Sequence, residues 1–189
     1  GTALVTYFSG IVDHNDHVRL GGYPGAFRDL LGIRVEEFFP LMDGETVGLD
    51  DGTTGDVWTE LLQVRGAEAV ARYRDGVLAG VPAVTRHQAG AGTAWYTATR
   101  LDAAGVAILV DRLIAECGVA PMVGAPPGVE VVRRTGEGAA YVFVINHTSR
   151  SVDLNLSGTA LVGPSPDGDG RLSVDGGAVA VVAVPPEDR

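Results

Sequence analysis

Four side chains able to bind a metal ion crowd one short stretch, Asp13, His14, Asp16 and His17. Carboxylate and imidazole are ordinary zinc ligands, but zinc sites space their ligands in patterns that this run does not match. Asn, Asp and His also favour tight turns, because they tolerate backbone angles closed to most residues. The stretch therefore reads as a structural turn. Asp167-Gly168-Asp169-Gly170 has the look of a calcium loop, yet the third acidic position and the closing glutamate of an EF-hand are missing, which leaves a hairpin turn.

Glu36 and Glu37 are the adjacent carboxylates that invite a hydrolase reading. Neighbours on a strand point to opposite faces, so they cannot act together on one bond. A glycosidase needs its two carboxyl groups roughly 5–5.5 Å apart across the sugar for retention, and wider apart for inversion. Ser9-Gly10 follows an apolar run as a nucleophile elbow would, but Phe8 and Ile11 flank the pair and the G-x-S-x-G frame is absent. Gly90-Ala91-Gly92 resembles part of a phosphate loop; strands on both sides make it a hairpin turn. Cys117 and His147 have no partner at a spacing that would make a catalytic pair recognisable. Cys117, at the end of an apolar helix, reads as a buried and inert thiol. Trp58 and Trp95 sit in alternating strands and read as packing or interface residues ahead of a sugar-stacking platform.

The elements that would carry these residues can be read in order. Residues 3–9 are a β-branched and aromatic run suited to a buried strand, and 13–25 a turn-rich loop. Pro24-Gly25 opens a short helix over 26–31, closed by Gly32, before an alternating strand over 33–39 that stops at Pro40. That strand–loop–helix–strand order predicts the late part of a parallel α/β sheet. A buried strand at the start of the chain implies sheet neighbours upstream. Residues 41–55 read as an acidic surface loop. Short, mostly antiparallel strands follow over 57–62, 69–73, 83–86 and 93–98, separated by glycine turns. Residues 103–116 form the clearest helix, with Val106, Leu109, Val110, Leu113 and Ile114 at helical spacing and Gly118 to end it. A Pro/Gly linker over 120–128 then leads to four or five strands with hairpin signals and no helix pattern, a small antiparallel sandwich or barrel.

Composition excludes several function classes. The chain has 189 residues, 46% hydrophobic and 20% charged, as a core-forming protein does. Its net charge is −10, it has no lysine, and its fourteen arginines are scattered, so no basic stripe exists to neutralise nucleic-acid phosphates. One cysteine rules out an intrachain disulfide framework. No apolar run approaches the roughly 18–20 residues that span a membrane as a helix.

The block VTYFSGIVDHNDHVRLGGYPGAFRDLLGIRVEEFFPL carries a resemblance. It is similar to the trimerisation domain of glycoside hydrolase family 42 β-galactosidases, in which SGIVDxNDxV is followed by a LGGYPG turn and a short helix. The likeness is close over residues 6–37, with His14 where an acidic residue is more usual. It continues more loosely through Pro82-Ala83-Val84-Thr85-Arg86, Gly90 to Tyr96 and the helix ending at Gly118. Beyond Gly128, the runs Val129 to Arg134 and Tyr141 to Thr148 resemble the family's small C-terminal β-domain.

The resemblance implies residues 1–119 as the later part of a flavodoxin-like or class I glutamine amidotransferase-like α/β domain, 120–128 as linker, and 129–189 as an antiparallel β-sandwich. It implies an assembly and stability region of a cytoplasmic enzyme that hydrolyses terminal β-D-galactosides with retention. Self-association as a trimer and a catalytic barrel upstream are its implied partners, with galactoside reached only through that barrel. Such barrels need about 250 residues, which this chain cannot hold. No residue is therefore assigned a catalytic, cofactor-binding or metal-ligating role. The competing expectations are a non-catalytic carbohydrate-binding module and, weaker, an amidotransferase-like enzyme, for which Cys117 is at the wrong end of a helix.

Overall fold

The computed structural model describes residues 1–120, 123–136 and 138–185. It divides into two compact units, Gly1–Val119 and Ala120–Arg189, each with its own core.

In the first unit, β1 (Thr2–Thr6) is the edge of a four-stranded sheet in the order β1, β8 (Gly92–Thr97), β7 (Pro82–Ala89), β6 (Glu68–Arg72). β1 runs parallel to β8, and the other pairs in that sheet are antiparallel. A second sheet pairs β2 (Ile33–Pro40) with β5 (Trp58–Val64), antiparallel, and a third joins β3 (Thr46–Gly48), β4 (Thr54–Asp56) and β9 (Arg100–Leu101). A three-residue 3-10 turn (Gly25–Phe27) leading into a four-residue helix, α1 (Arg28–Leu31), and one long helix, α2 (Ala103–Cys117), complete the unit.

The expected parallel continuation from the first strand to the second is not what forms. β2 leaves the sheet of β1 and pairs antiparallel with β5, setting Val35 opposite Leu62. The connection explains this. A parallel crossover needs a helix long enough to lie along a sheet face, and α1 has four residues. Gly32, at φ +60°, then turns the chain sharply. Its carbonyl accepts from the backbone N–H groups of Arg65 and Ala67. A Cβ there would lie 2.6 Å from the His87 ring, so both the angle and the space demand glycine.

Two further expectations are corrected. Residues 41–55 are not simply a surface loop, because β3 and β4 form within them and bury Val47 and Leu49. β1 is only half-buried, with Leu4 40% exposed, and among the described residues it pairs with β8 alone.

α2 begins and ends on its local signals. Asp102 accepts from the Gly105 N–H at 2.7 Å as N-cap, and Gly118 closes it in the left-handed region. Its apolar stripe is divided, however. Leu109 is buried and Leu113 partly so, whereas Val106, Val110 and Ile114 are 46%, 38% and 41% exposed. The helix packs along β1 and β9, at the margin of its sheet, so only part of the stripe meets protein among the described residues.

Among the described residues of the second unit, every strand pair is antiparallel. β10 (Val129–Gly136), β11 (Ala139–Asn146), β15 (Val179–Val184) and β13 (Thr159–Val162) form one sheet, and β12 (Val152–Asn155) pairs with β14 (Arg171–Val174) in another. β11 alternates buried and half-buried residues along its length, the period of a strand with one face inward. Val142, Val144, Ala180 and Val182 from the larger sheet share one core with Leu154, Leu172 and Val174 from the smaller. Two sheets facing across a common core make a sandwich.

Candidate functional site

Each sequence-derived candidate has a definite place. Asp13 Oδ1 accepts from the backbone N–H of Asn15 at 2.8 Å and of His17 at 3.1 Å, so its carboxylate closes a turn. Among the described residues no group of three or more His, Cys, Asp or Glu side chains is arranged to hold a metal ion. Asp167 does the same work as Asp13, accepting from Asp169 and Arg171 N–H groups in a hairpin turn.

Glu36 and Glu37 depart from the expected opposite faces. The ladder between β2 and β5 slips between Val35 and Glu37, and the bulge leaves both glutamates exposed. Gly90-Ala91 is the two-residue turn of the β7–β8 hairpin. Cys117 is exposed at the last position of α2, which corrects the reading of a buried thiol. Its neighbour Glu116 is the one held against the sheet, so Cys117 falls on the solvent side of the last turn. His147 lies 3.4 Å from the exposed Glu130.

The two tryptophans part company. Trp95 is buried, 5% exposed, and donates its indole N–H to Glu116 Oε2 at 2.9 Å. Glu116 also takes a forked contact from Arg86, whose third donor reaches Glu68. The Arg86 hydrogen bonds, then one from Thr93, hold the Glu116 carboxyl down to about 2.

Trp58 marks the most unusual site in the chain, one absent from the sequence expectations. Beneath it lies Glu60, a carboxyl with no exposed surface. Oε1 of Glu60 accepts both the Trp58 indole N–H and the backbone N–H of Phe8, each at 3.0 Å. Oε2 accepts the Tyr96 hydroxyl at 2.6 Å. The Tyr73 hydroxyl sits over the Glu60 N–H and donates to the Ala98 carbonyl at 2.8 Å. Burial raises the Glu60 carboxyl above its usual range, opposed by the donors from Tyr96, Phe8 and Trp58. Burial also raises Tyr73 and Tyr96, and the neighbouring carboxylate reinforces this. The arrangement is a fastening: three donors converge on one sealed carboxyl and occupy both its oxygens, leaving no route for substrate.

What it fastens is an aromatic face. Phe8 packs edge-on to Trp58 at 4.7 Å and to Phe38 at 5.7 Å between ring centres. Phe38 in turn meets Trp58 at 5.3 Å and stacks on Tyr23 at 4.9 Å, and Tyr7 flanks Trp58 at 6.5 Å. Phe8, in this face, and Val57, the residue before Trp58, both have left-handed backbone, at φ +57° and +63°. For a bulky or β-branched residue that is an outlier, costing about 1–3 kcal/mol each. Phe8 is nevertheless 54% and Val57 44% exposed. On the far side of Phe38 a groove of about 510 Å³ runs past Phe39, Leu41, Thr59 and Val77. Glu60 was hidden in the sequence because it stands in a plain alternating strand; its one signal was a glutamate two residues from a tryptophan on the same face.

Comparison with known proteins identifies the two units. Residues 1–120 match the family model of the β-galactosidase trimerisation domain, and residues 128–183 that of the β-galactosidase C-terminal domain. The chain belongs to the glycoside hydrolase family 42 β-galactosidases. It is 50% identical over 184 residues to a β-galactosidase of an Arthrobacter species, covering 96% of this chain and 26% of that protein. The β-galactosidase LacZ of Heyndrickxia coagulans is 43% identical over 84% of this chain and 24% of its own length. Among solved structures, the β-galactosidase of Bacillus circulans sp. alkalophilus superposes with a TM-score of 0.86 at 32% identity, over 97% of this chain and 29% of that one. The enzyme of Rahnella sp. R3 does so with a TM-score of 0.84 at 27% identity, over 98% and 28%. The chain thus spans about a quarter of the length of the curated relatives it matches. Its matched regions are the family's non-catalytic trimerisation and C-terminal parts. Among the described residues no helix is long and apolar enough to cross a membrane.

Proposed function

We propose that this chain is the assembly and stability region of a β-galactosidase whose catalytic barrel lies upstream. The parent enzyme hydrolyses terminal β-D-galactosides with retention in the cytoplasm, and both catalytic glutamates belong to the barrel. The observation that carries this reading is the order of the two family matches, trimerisation domain then C-terminal domain, over nearly the whole chain. The parallel pairing of β1 with β8 at a sheet edge supports the finer view that the first unit is the later half of a flavodoxin-like domain. Residues 1–119 and 129–189 are then its two functional parts, with 120–128 as the linker. Nucleic acid has no basic surface to hold it.

A nitrophenyl galactoside assay tests this, and we expect no turnover by the isolated chain. Turnover at the rate of family enzymes, free of host activity, would overturn it. Titration with galactose and lactose addresses the competing carbohydrate-binding module; measurable affinity would favour that module.

A further inference from the structure

The aromatic face above Glu60 has three properties that its own unit does not explain. Phe8 and Val57, the residue before Trp58, hold left-handed backbone while remaining about half exposed. Burial within the unit therefore does not offset their strain. The face is locked from below, since one oxygen of a sealed carboxyl fixes both the Phe8 N–H and the Trp58 indole. Its two nearest carboxyl groups in β4 and β5 are also accounted for: Glu60 is buried, and Asp56, next to Val57, is engaged by Arg100.

We infer that this face, centred on Phe8, Val57 and Trp58, is the contact through which the chain binds a second copy of itself. The inference rests on the self-association proposed for the trimerisation domain, whose family model covers every residue of the face. Strain retained at exposed residues points to a function outside the isolated fold. Aromatic rings fixed in place before contact lose little side-chain freedom on association, and Trp, Tyr and Phe are the residues that anchor interface cores. Each copy has a net charge of −10, so two copies repel over most of their surface, and a contact made by aromatic rings beside a buried Glu60 and an Arg100-paired Asp56 meets less of that repulsion. In a closed ring of three the contact is heterologous, so this face docks against a different surface of the next copy. One substitution in it then weakens all three contacts.

The test uses the whole 189-residue chain, followed by light scattering during size exclusion from low to high micromolar concentration, with acrylamide quenching of tryptophan alongside. Wild type is expected to form a trimer, with Trp58 protected from quencher as it assembles; Trp95 is already buried and contributes a constant background. Phe8→Ser is expected to weaken association by at least about tenfold. Val57→Gly is expected to weaken association too, yet to raise the thermal midpoint of the dissociated chain, because glycine relieves the left-handed strain. A merely structural role for Val57 predicts the opposite shift in midpoint. Variants that trimerise as tightly as wild type would place the interface elsewhere and leave self-association standing. A trimer that forms without protecting Trp58 overturns the inference in the same way and leaves the face to the upstream barrel. A wild-type chain that stays monomeric overturns both the inference and self-association by this region.

Discussion

The Tyr96 hydroxyl donates to Oε2 of Glu60 across 2.6 Å, and neither residue is more than 1% exposed. This short bond joins β8 to β5, two strands of different sheets, and makes a titratable group part of the core of the first unit.

Replacing Glu60 by alanine is expected to cost the first unit about 3–5 kcal/mol, because it strands the Phe8, Trp58 and Tyr96 donors and opens a cavity. Glu60→Gln keeps an oxygen for Phe8 and Trp58 and offers its amide N–H to Tyr96, and is expected to cost less than about 1.5 kcal/mol. Urea denaturation followed by tryptophan emission measures both. A cost for alanine no larger than for glutamine would show that the carboxyl is not the fastening described.

The same carboxyl gives a pH dependence of defined sign. Its folded pKa is raised, so the folded state holds the proton more tightly than the unfolded chain. The stability it contributes is present below the unfolded value of about 4.5 and is lost as pH rises through the folded value. Glu116 is opposite. Its folded value is lowered to about 2, so its contribution is present above about 4.5 and is lost as pH falls toward 2. Stability measured across acid pH should lose the first slope in Glu60→Gln and the second in Glu116→Gln. Unchanged profiles in the variants would sink both assignments.

On α2, Leu109→Ala is expected to destabilise by about 2–4 kcal/mol, since Leu109 is 6% exposed and meets the core. Val110→Ala, at 38% exposure, should cost less than about 1 kcal/mol in the isolated chain. Thermal melts of the pair check which side of the helix is packed. Equal losses would mean that the exposed half of the stripe is covered in solution.

In the second unit, Asn146 is 1% exposed and satisfies five groups. Nδ2 donates toward the carbonyls of Arg150, Val174 and Asp175, and Oδ1 accepts the Thr148 N–H and hydroxyl. Asn146→Asp, nearly isosteric, sets a carboxylate against three carbonyl oxygens, and is expected to cost at least about 3 kcal/mol and to be worse than Asn146→Ser. Denaturation of the second unit, followed by far-ultraviolet dichroism, reads the difference. A milder effect for aspartate would place Asn146 outside the hydrogen-bond network.

Local chemistry by itself determined a good part of this protein. Gly32 and Gly118 end their helices because only the left-handed region suits those positions, and Asp102 starts α2 as a capping side chain does. Gly90-Ala91 turns the β7–β8 hairpin, and Asp13 and Asp167 close turns through their own carboxylates. The run from Thr6 to Glu37 was specific enough to indicate the family. Each of these signals spans a few neighbouring residues, or a run read as a single block.

Tertiary structure decided what depends on distant partners. Whether β2 would lie beside β1 or β5 turned on a helix too short for a parallel crossover and on the pairing of Val35 with Leu62. Whether Cys117 would be buried turned on which face of the last turn of α2 meets the sheet, and Glu116 takes that face. Glu60 looks like any outward glutamate of a strand until folding brings Tyr73 from 13 residues away, Tyr96 from 36 and the Phe8 N–H from 52. A buried carboxyl is stable only when its donors converge from several strands at once, and that convergence has no local signature.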